Sequence, residues 1–222
     1  MKFDIITIFP HLIRQYFSEG VIARASQAGI LSIRAHDLRD WSEDKHKTVD
    51  APPFGGGPGM VMKVEPLYKA VQQLTTNNLP QKTKIILMSP RGKKFNQKKA
   101  KKYSALDNLI IICGRYEGID ERVMCYVADE VISIGDYVLS GGEIAALAII
   151  EATARLIPGV LGNEGSPEQG LFPQYTRPEV FITNEGEKWC APKLLLSGNH
   201  KLIEEWRRKH SAKRVIHYEE AS

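Results

Sequence analysis

Several runs in this sequence are apolar almost throughout instead of alternating. LIIIC at 109–113 is the clearest, followed by KIILMS at 84–89, whose interior IILM is apolar, and FDIITIF at 3–9, interrupted only by Asp4 and Thr7. A strand with one face in water alternates apolar and polar residues, whereas a strand buried on both faces does not. With LSIRAH at 31–36 and EVISI at 130–134, these runs predict a mostly parallel sheet covered by helices. The helical stretches lie between them, at 10–19, 21–28, 65–76, 96–105, 119–127 and, longer, 142–156. Alternating strands and helices describe an α/β domain filling residues 1–162. The full length of 222 residues suits such a domain with a small appendage.

After PGVLG, which ends at Gly162, the texture changes. The segment NEGSPEQGLFPQYTRP has no period and is rich in Gly, Pro and polar residues, so 163–178 reads as a flexible linker. Beyond it, LLLSGNHKLIEEWRRKH offers a turn at Ser197–Asn199 and then a short basic helix, and 179–222 is expected to form a small helical module.

Apolar residues make up 43% and charged residues 25%, an ordinary soluble composition. The net charge of +4 is modest, but the cations cluster. RGKKFNQKKAKK at 91–102 contains no acid, and Arg207, Arg208, Lys209, Lys213 and Arg214 form a second group. Either block suits a polyanion such as nucleic acid, or simply a solvated helix face. Cys113, Cys125 and Cys190 form no CxxC pair, and the six His residues show no metal-ligand spacing. A reduced, cytoplasmic setting fits. No run approaches the ~20 apolar residues of a membrane span, and IITIF is too short for a signal segment.

The stretch PPFGGGPGM at 52–60 invites comparison with phosphate-cradling loops. A Walker-type loop needs Lys and then Ser or Thr after its last Gly, but Gly59 is followed by Met60, Val61 and Met62. Nothing before it reads as a strand entering a dinucleotide-binding turn. An NTP-using enzyme built on this loop therefore has little support. Three other glycine-bearing loops follow predicted strands: MSPRG (88–92), CGRYEG (113–118) and SIGDYVLSGGE (133–143). In α/β sheets, ligands bind where strands run out. Glu117, Asp136 and Glu143, with Tyr116 and Tyr137, would repel a triphosphate and tolerate a cationic, adenine-bearing ligand, of which S-adenosylmethionine is an example. The acids also suit helix capping, as Asp120 or Glu143 could near helix N-termini.

The motifs DYVLSGGE, CGRYEGIDERV, HKTVDAPPFGGGPGM, PGVLG, YTRP and LLLSGNH closely resemble, in the same order, the bacterial tRNA (guanine-N1)-methyltransferases of the TrmD type, SPOUT class. The resemblance covers about residues 1–209. It implies a homodimer whose α/β domain carries a C-terminal trefoil knot binding S-adenosylmethionine, with a tRNA-binding C-terminal module. Carried over by motif, the cofactor would be held by Leu87, Met88, Ser89 and Pro90, by Gly114, Tyr116 and Glu117, and by Ser133, Ile134, Gly135, Asp136, Tyr137, Val138 and Leu139 with Gly141 and Gly142. The implied target is the guanosine at tRNA position 37, immediately 3′ of the anticodon. The GGGPGM loop would then offer bare backbone at Gly59 to a flipped-out base and not to phosphate. His46 and Asp50 are candidates for tRNA or guanine contacts in that region, or turn and capping residues. The family is associated with Mg²⁺, yet no ligand cluster announces a site.

Methylating N1 of guanine requires removal of its proton while negative charge develops toward O6, so a carboxylate base and a cation are the minimum. Arg155 occupies the family's arginine position and is assigned to O6; it is also spaced for an i,i+4 ion pair with Glu151. At the base the sequence departs from the family, whose linkers carry an Asp shortly after a Ser. The corresponding stretch here is several residues shorter and has no Asp. Glu168, two residues after Ser166, is the nearest stand-in, with Glu164 second. The family also continues into further basic helical residues where this sequence reads HSAKRVIHYEEAS. The alternative is a catalytically impaired protein of the same fold that still binds tRNA or S-adenosylmethionine.

Overall fold

A computed structural model describes residues 1–76, 82–162 and 172–211. The chain divides into two compact units, Met1–Gly162 and Asn163–Ser222. The first opens with β1 (Lys2–Thr7), α1 (Pro10–Tyr16), α2 (Gly20–Gln27) and β2 (Ser32–Asp37). The two-residue strands β3 (Asp50–Ala51) and β4 (Val61–Met62) come next, then α3 (Val64–Thr76) and β5 (Thr83–Lys94). It closes with α4 (Gln97–Tyr103), β6 (Asn108–Cys113), α5 (Glu121–Tyr126), β7 (Glu130–Ser133) and α6 (Glu143–Ala154).

Five strands form one sheet in the order β2-β1-β6-β5-β7, and every pairing is parallel. The uninterrupted apolar runs are explained by the two cores they feed. Phe3, Ile5, Leu109 and Ile111 pack with α6 residues Ala146, Ile149 and Ile150 on one face. Their sequence neighbours Ile6, Ile110 and Ile112 pack with Leu67, Val71 and Val123 on the other. Successive side chains point to opposite faces, so a sheet roofed on both sides needs both parities apolar.

The structure departs from the sequence reading in four places. The helix expected over 10–19 stops at Tyr16, and α2 starts at Gly20, whose φ of 79° favours glycine. The strand expected to end at Ser89 runs on to Lys94. Both Met88 and Lys93 pair with Ile132, so the intervening Ser89–Gly92 bows out of the ladder. A short strand does precede the glycine loop, because Asp50 and Ala51 pair antiparallel with Met62 and Val61 and close that loop at its base. The C-terminal module is not purely helical. Strands β8 (Val180–Ile182) and β9 (Lys188–Cys190) form an antiparallel hairpin before α7 (His200–His210). β-Branched and aromatic residues flank a turn with Gly186 at φ 84°. The predicted turn at Ser197–Asn199 stands, with Asn199 capping α7 by accepting from the Leu202 amide at 3.2 Å.

Candidate active site

β5 lies between β6 and β7, and the bowed segment of β5 with the loops that follow β6 and β7 encloses a cavity of about 370 Å³. Its volume lies in the range typical of small-molecule pockets. Of the residues carried over as cofactor-binding, all but Asp136 line it: Leu87 to Pro90, Gly114, Tyr116, Glu117, Ser133 to Gly135, Tyr137 to Leu139, Gly141 and Gly142. Asp136 points elsewhere and pairs with Lys94 Nζ at 2.5 Å. It is thus corrected from a lining residue to an anchor between its loop and the end of β5. Arg91, Arg115, Ile119, Met124, Ser140 and Ala145 also line the cavity and were not singled out in the sequence.

The loops are tied to one another through the backbone. The Gly142 amide donates to the Gly114 carbonyl at 2.9 Å. A Cβ on Gly142 would lie 2.9 Å from Cys113 Cα and Met88 Cβ, so glycine is what lets α6 start against β5 and β6. In the 133–135 turn, Ser133 Oγ donates to the Gly135 carbonyl at 2.9 Å and accepts from the Gly135 amide at 3.2 Å.

Beneath the loop that ends in Gly142 lies an ion pair. Arg115 Nε donates to Glu143 Oε2 at 2.9 Å, and Thr7 Oγ1 donates to Glu143 Oε1 at 2.7 Å. Arg115 also donates to the Ser140 carbonyl at 3.2 Å and stacks 4.7 Å over the Phe9 ring. Glu143 is only 1% exposed, so this carboxylate serves the loop and does not face the cavity. Asp120, by contrast, does cap a helix, accepting from the Arg122 amide at 3.0 Å at the start of α5. Cys113 is buried, and burial, reinforced by the Glu143 charge against the opposing Arg115, pushes its thiol well above the ordinary range. It is no nucleophile at neutral pH.

The cavity's charge is therefore specific. Arg91 pairs with Glu121 at 2.6 Å and Arg115 with Glu143, so both cations of the lining are taken up by carboxylates. Glu117 is the one charged lining side chain with no ion pair among the described residues. The glycine loop reaches this side chain. The Glu117 amide donates to the Met60 carbonyl at 3.0 Å, and the Met62 amide to the Gly118 carbonyl at 2.9 Å. A Cβ on Gly59 would fall 2.4 Å from Glu117 Cγ. Phe54, in the same loop, is fully exposed, an aromatic ring the sequence reading passed over. Asp50 and His46 do not line the cavity. Asp50 lies near Tyr116, whose phenol is raised by burial and then by the Asp50 charge, against Arg39. His46 sits on a turn gathered by Asp44, whose carboxylate accepts from Ser42 Oγ, the His46 and Thr48 amides and Thr48 Oγ1, and is held well below the usual carboxylate range by those bonds.

A family model described as "tRNA (Guanine-1)-methyltransferase TrmD" matches residues 1–220. The chain belongs to this family. It is 47% identical to the tRNA (guanine-N(1)-)-methyltransferase of Citrifermentans bemidjiense over 97% of this chain and 87% of that protein. Identity to the protein of the same name from Carboxydothermus hydrogenoformans is 49% over 95% of this chain and 83% of the relative, and to that from Geobacillus kaustophilus 46% over 97% and 88%.

In this TrmD-family chain, Arg155 stands at the opposite end of α6 from the cavity. Twelve helical residues at 1.5 Å each separate it from Glu143 by roughly 18 Å. It borders a second hollow, with Tyr16, Phe17, Val21 and Glu151. The structure does not bring it to the cavity of its own chain. Glu168, with Glu164 and Ser166, lies outside the described residues. Among the described residues no group of three or more His, Cys, Asp or Glu side chains could hold a metal ion, and no helix is long and apolar enough to cross a membrane.

Proposed function

We propose that this chain transfers a methyl group from S-adenosylmethionine to N1 of the guanosine at tRNA position 37. The carrying observation is the cavity built on three parallel strands, where two arginines are neutralised and one carboxylate, Glu117, is left over. Such a lining disfavours phosphate and suits a sulfonium beside an adenosine, the base held by backbone groups and apolar walls. The names of the relatives support the enzyme over the catalytically impaired alternative. The trefoil knot expected of the SPOUT class belongs to this reading.

S-adenosylmethionine supplies an electrophilic methyl on a positively charged sulfur. As the N1–methyl bond forms and the methyl–sulfur bond breaks, the thioether leaves neutral and the N1 proton goes to a carboxylate, which we assign to Glu168. Arg155 stabilises the charge on O6. Gly59 gives the base close backbone approach, and Asp50 and His46 border it. Since Arg155 lies so far from its own cavity, this role needs a homodimer in which it serves the partner's cavity. The C-terminal module would grip tRNA, the setting would be cytoplasmic, and any Mg²⁺ would be held by groups completed by substrate.

The test is transfer of labelled methyl to unmodified tRNA with guanosine at positions 36 and 37. Label is expected on that tRNA and none when position 37 is adenosine. Absence of label with cofactor binding intact would overturn the reading. The dimer is tested by mixing Arg155→Ala with a cavity variant, Gly142→Val. Each alone is expected to lose at least about 10²-fold in rate. The mixed population should recover up to roughly a quarter of wild-type activity, because only a heterodimer has one intact site; no recovery would place Arg155 elsewhere.

A further inference from the structure

The basic run at 91–102 is not one surface. Its cations fall into two sets that the helix separates. Lys99 faces the sheet, where Glu130 accepts from Lys99 Nζ at 2.6 Å, from Lys84 Nζ at 2.7 Å and from Tyr103 Oη at 3.0 Å. Burial raises that carboxyl, but these bonds outweigh it and hold it down at about 2. Arg91 and Lys94 are likewise joined to Glu121 and Asp136. Lys93, Lys98, Lys101 and Lys102 are exposed and form no ion pair among the described residues.

On α4 the division follows the helical period. Ala100 and Tyr103 are buried with Lys99 beside them, while Lys98, Lys101 and Lys102 share one side within about 100° of arc. A merely solvated helix face gains from acid–base pairs at i,i+4. Here Lys98 and Lys102 place like charges at that spacing, which costs a short helix roughly 0.2–0.5 kcal/mol. Lys98 also sits in the first turn, where the helix dipole disfavours a cation. Lys101 and Lys102 lie in the last turn, where the dipole favours them, but the like-charge spacing and the place of Lys98 are not relieved by any ion pair among the described residues. The patch also adjoins the cavity: Arg91 lines it, and Lys94 is bonded to Asp136, between the lining residues Gly135 and Tyr137.

We propose that Lys93, Lys98, Lys101 and Lys102 form a phosphate-docking surface for the tRNA backbone, running roughly 10 Å along α4 away from the methyl-transfer cavity. The inference rests on tRNA being the substrate and adds the face that carries its backbone. Exposed lysines fix position and affinity without reading bases, so the surface would hold the tRNA while the cavity selects the guanosine.

The test replaces all four lysines by glutamine and measures tRNA binding from about 50 to 300 mM salt, with S-adenosylmethionine affinity and thermal midpoint as controls for folding. Each lost phosphate contact lowers the slope of log K against log salt by about 0.7–0.9, so a decrease of roughly three is expected. Affinity at about 0.1 M salt should fall at least tenfold, with preference for guanosine over adenosine at position 37 kept. Unchanged affinity and slope in a folded variant would overturn the proposal. Loss of polyglutamate binding with tRNA binding intact would likewise overturn it, giving the patch to an acidic protein. Should the wild type bind tRNA without methylating it while the variant loses the salt slope, the docking surface stands and the enzyme reading fails.

Discussion

Arg115→Met is expected to lower the thermal midpoint by roughly 6–12 °C and to weaken S-adenosylmethionine binding at least tenfold. The substitution leaves Glu143 1% exposed with only the Thr7 hydroxyl to accept from. Removing one partner of a buried pair costs about 3–5 kcal/mol because the other charge is stranded, and the partial exposure of Arg115 argues for the lower end. A change of about 3 kcal/mol shifts the midpoint of a domain this size by the range given. The effect on ligand binding follows from the same side chain's bond to the Ser140 carbonyl, since Ser140, Gly141 and Gly142 all line the cavity. The double variant Arg115→Met with Glu143→Leu removes both charges and is expected to unfold above the single variant, although it does not restore the loop. Calorimetric melting and titration with S-adenosylmethionine check both points. A single variant with wild-type melting and affinity would show that the pair does not hold the cavity.

That pair marks the boundary of what the sequence discloses. The strands were legible because burial on both faces leaves a local mark, an apolar run, and the three lining loops because each carries glycine after such a run. Pairing between residues 28 positions apart leaves no such mark. Glu143 therefore read as a possible cap or a cavity acid, and Asp136, directly after Gly135, read as a lining group when its carboxylate turns to Lys94. The course of β5 was hidden for a different reason. Pro90 normally ends a ladder, and the expected strand stopped there, but Ser89–Gly92 leaves the sheet and returns to pair with Ile132. The β8–β9 hairpin was missed because three-residue strands are too short for a period to show. The cavity residues were reached through motif resemblance, which carries the memory of tertiary contacts that periodicity lacks.

Gly92→Ala should be the most damaging single methyl that can be added to the first unit. Built on Gly92, a Cβ lies 2.5 Å from the Ile132 amide nitrogen and 2.6 Å from the carbonyl carbons of Ile132 and Val131. All three are backbone atoms, so no rotamer change can make room. Relief requires β7 to move by nearly 1 Å from β5, yet β7 is tied to that strand through Ile86 to Met88 and again through Lys93 and Lys94. Overpacking a core costs about 1–3 kcal/mol when side chains can adjust, and this site, where only backbone can yield, belongs at or above the top of that range. Because Ile132 and Ser133 line the cavity, S-adenosylmethionine affinity should fall with stability. Gly162→Ala is the control: a Cβ there meets nothing within 4 Å and φ is not in the left-handed region, so its midpoint should change little or rise slightly. Comparable melting temperatures for the two variants would mean that β5 and β7 do not approach as closely as described. A collapse confined to Gly92→Ala would establish that the second passage of β5 along β7 holds the cavity wall in place.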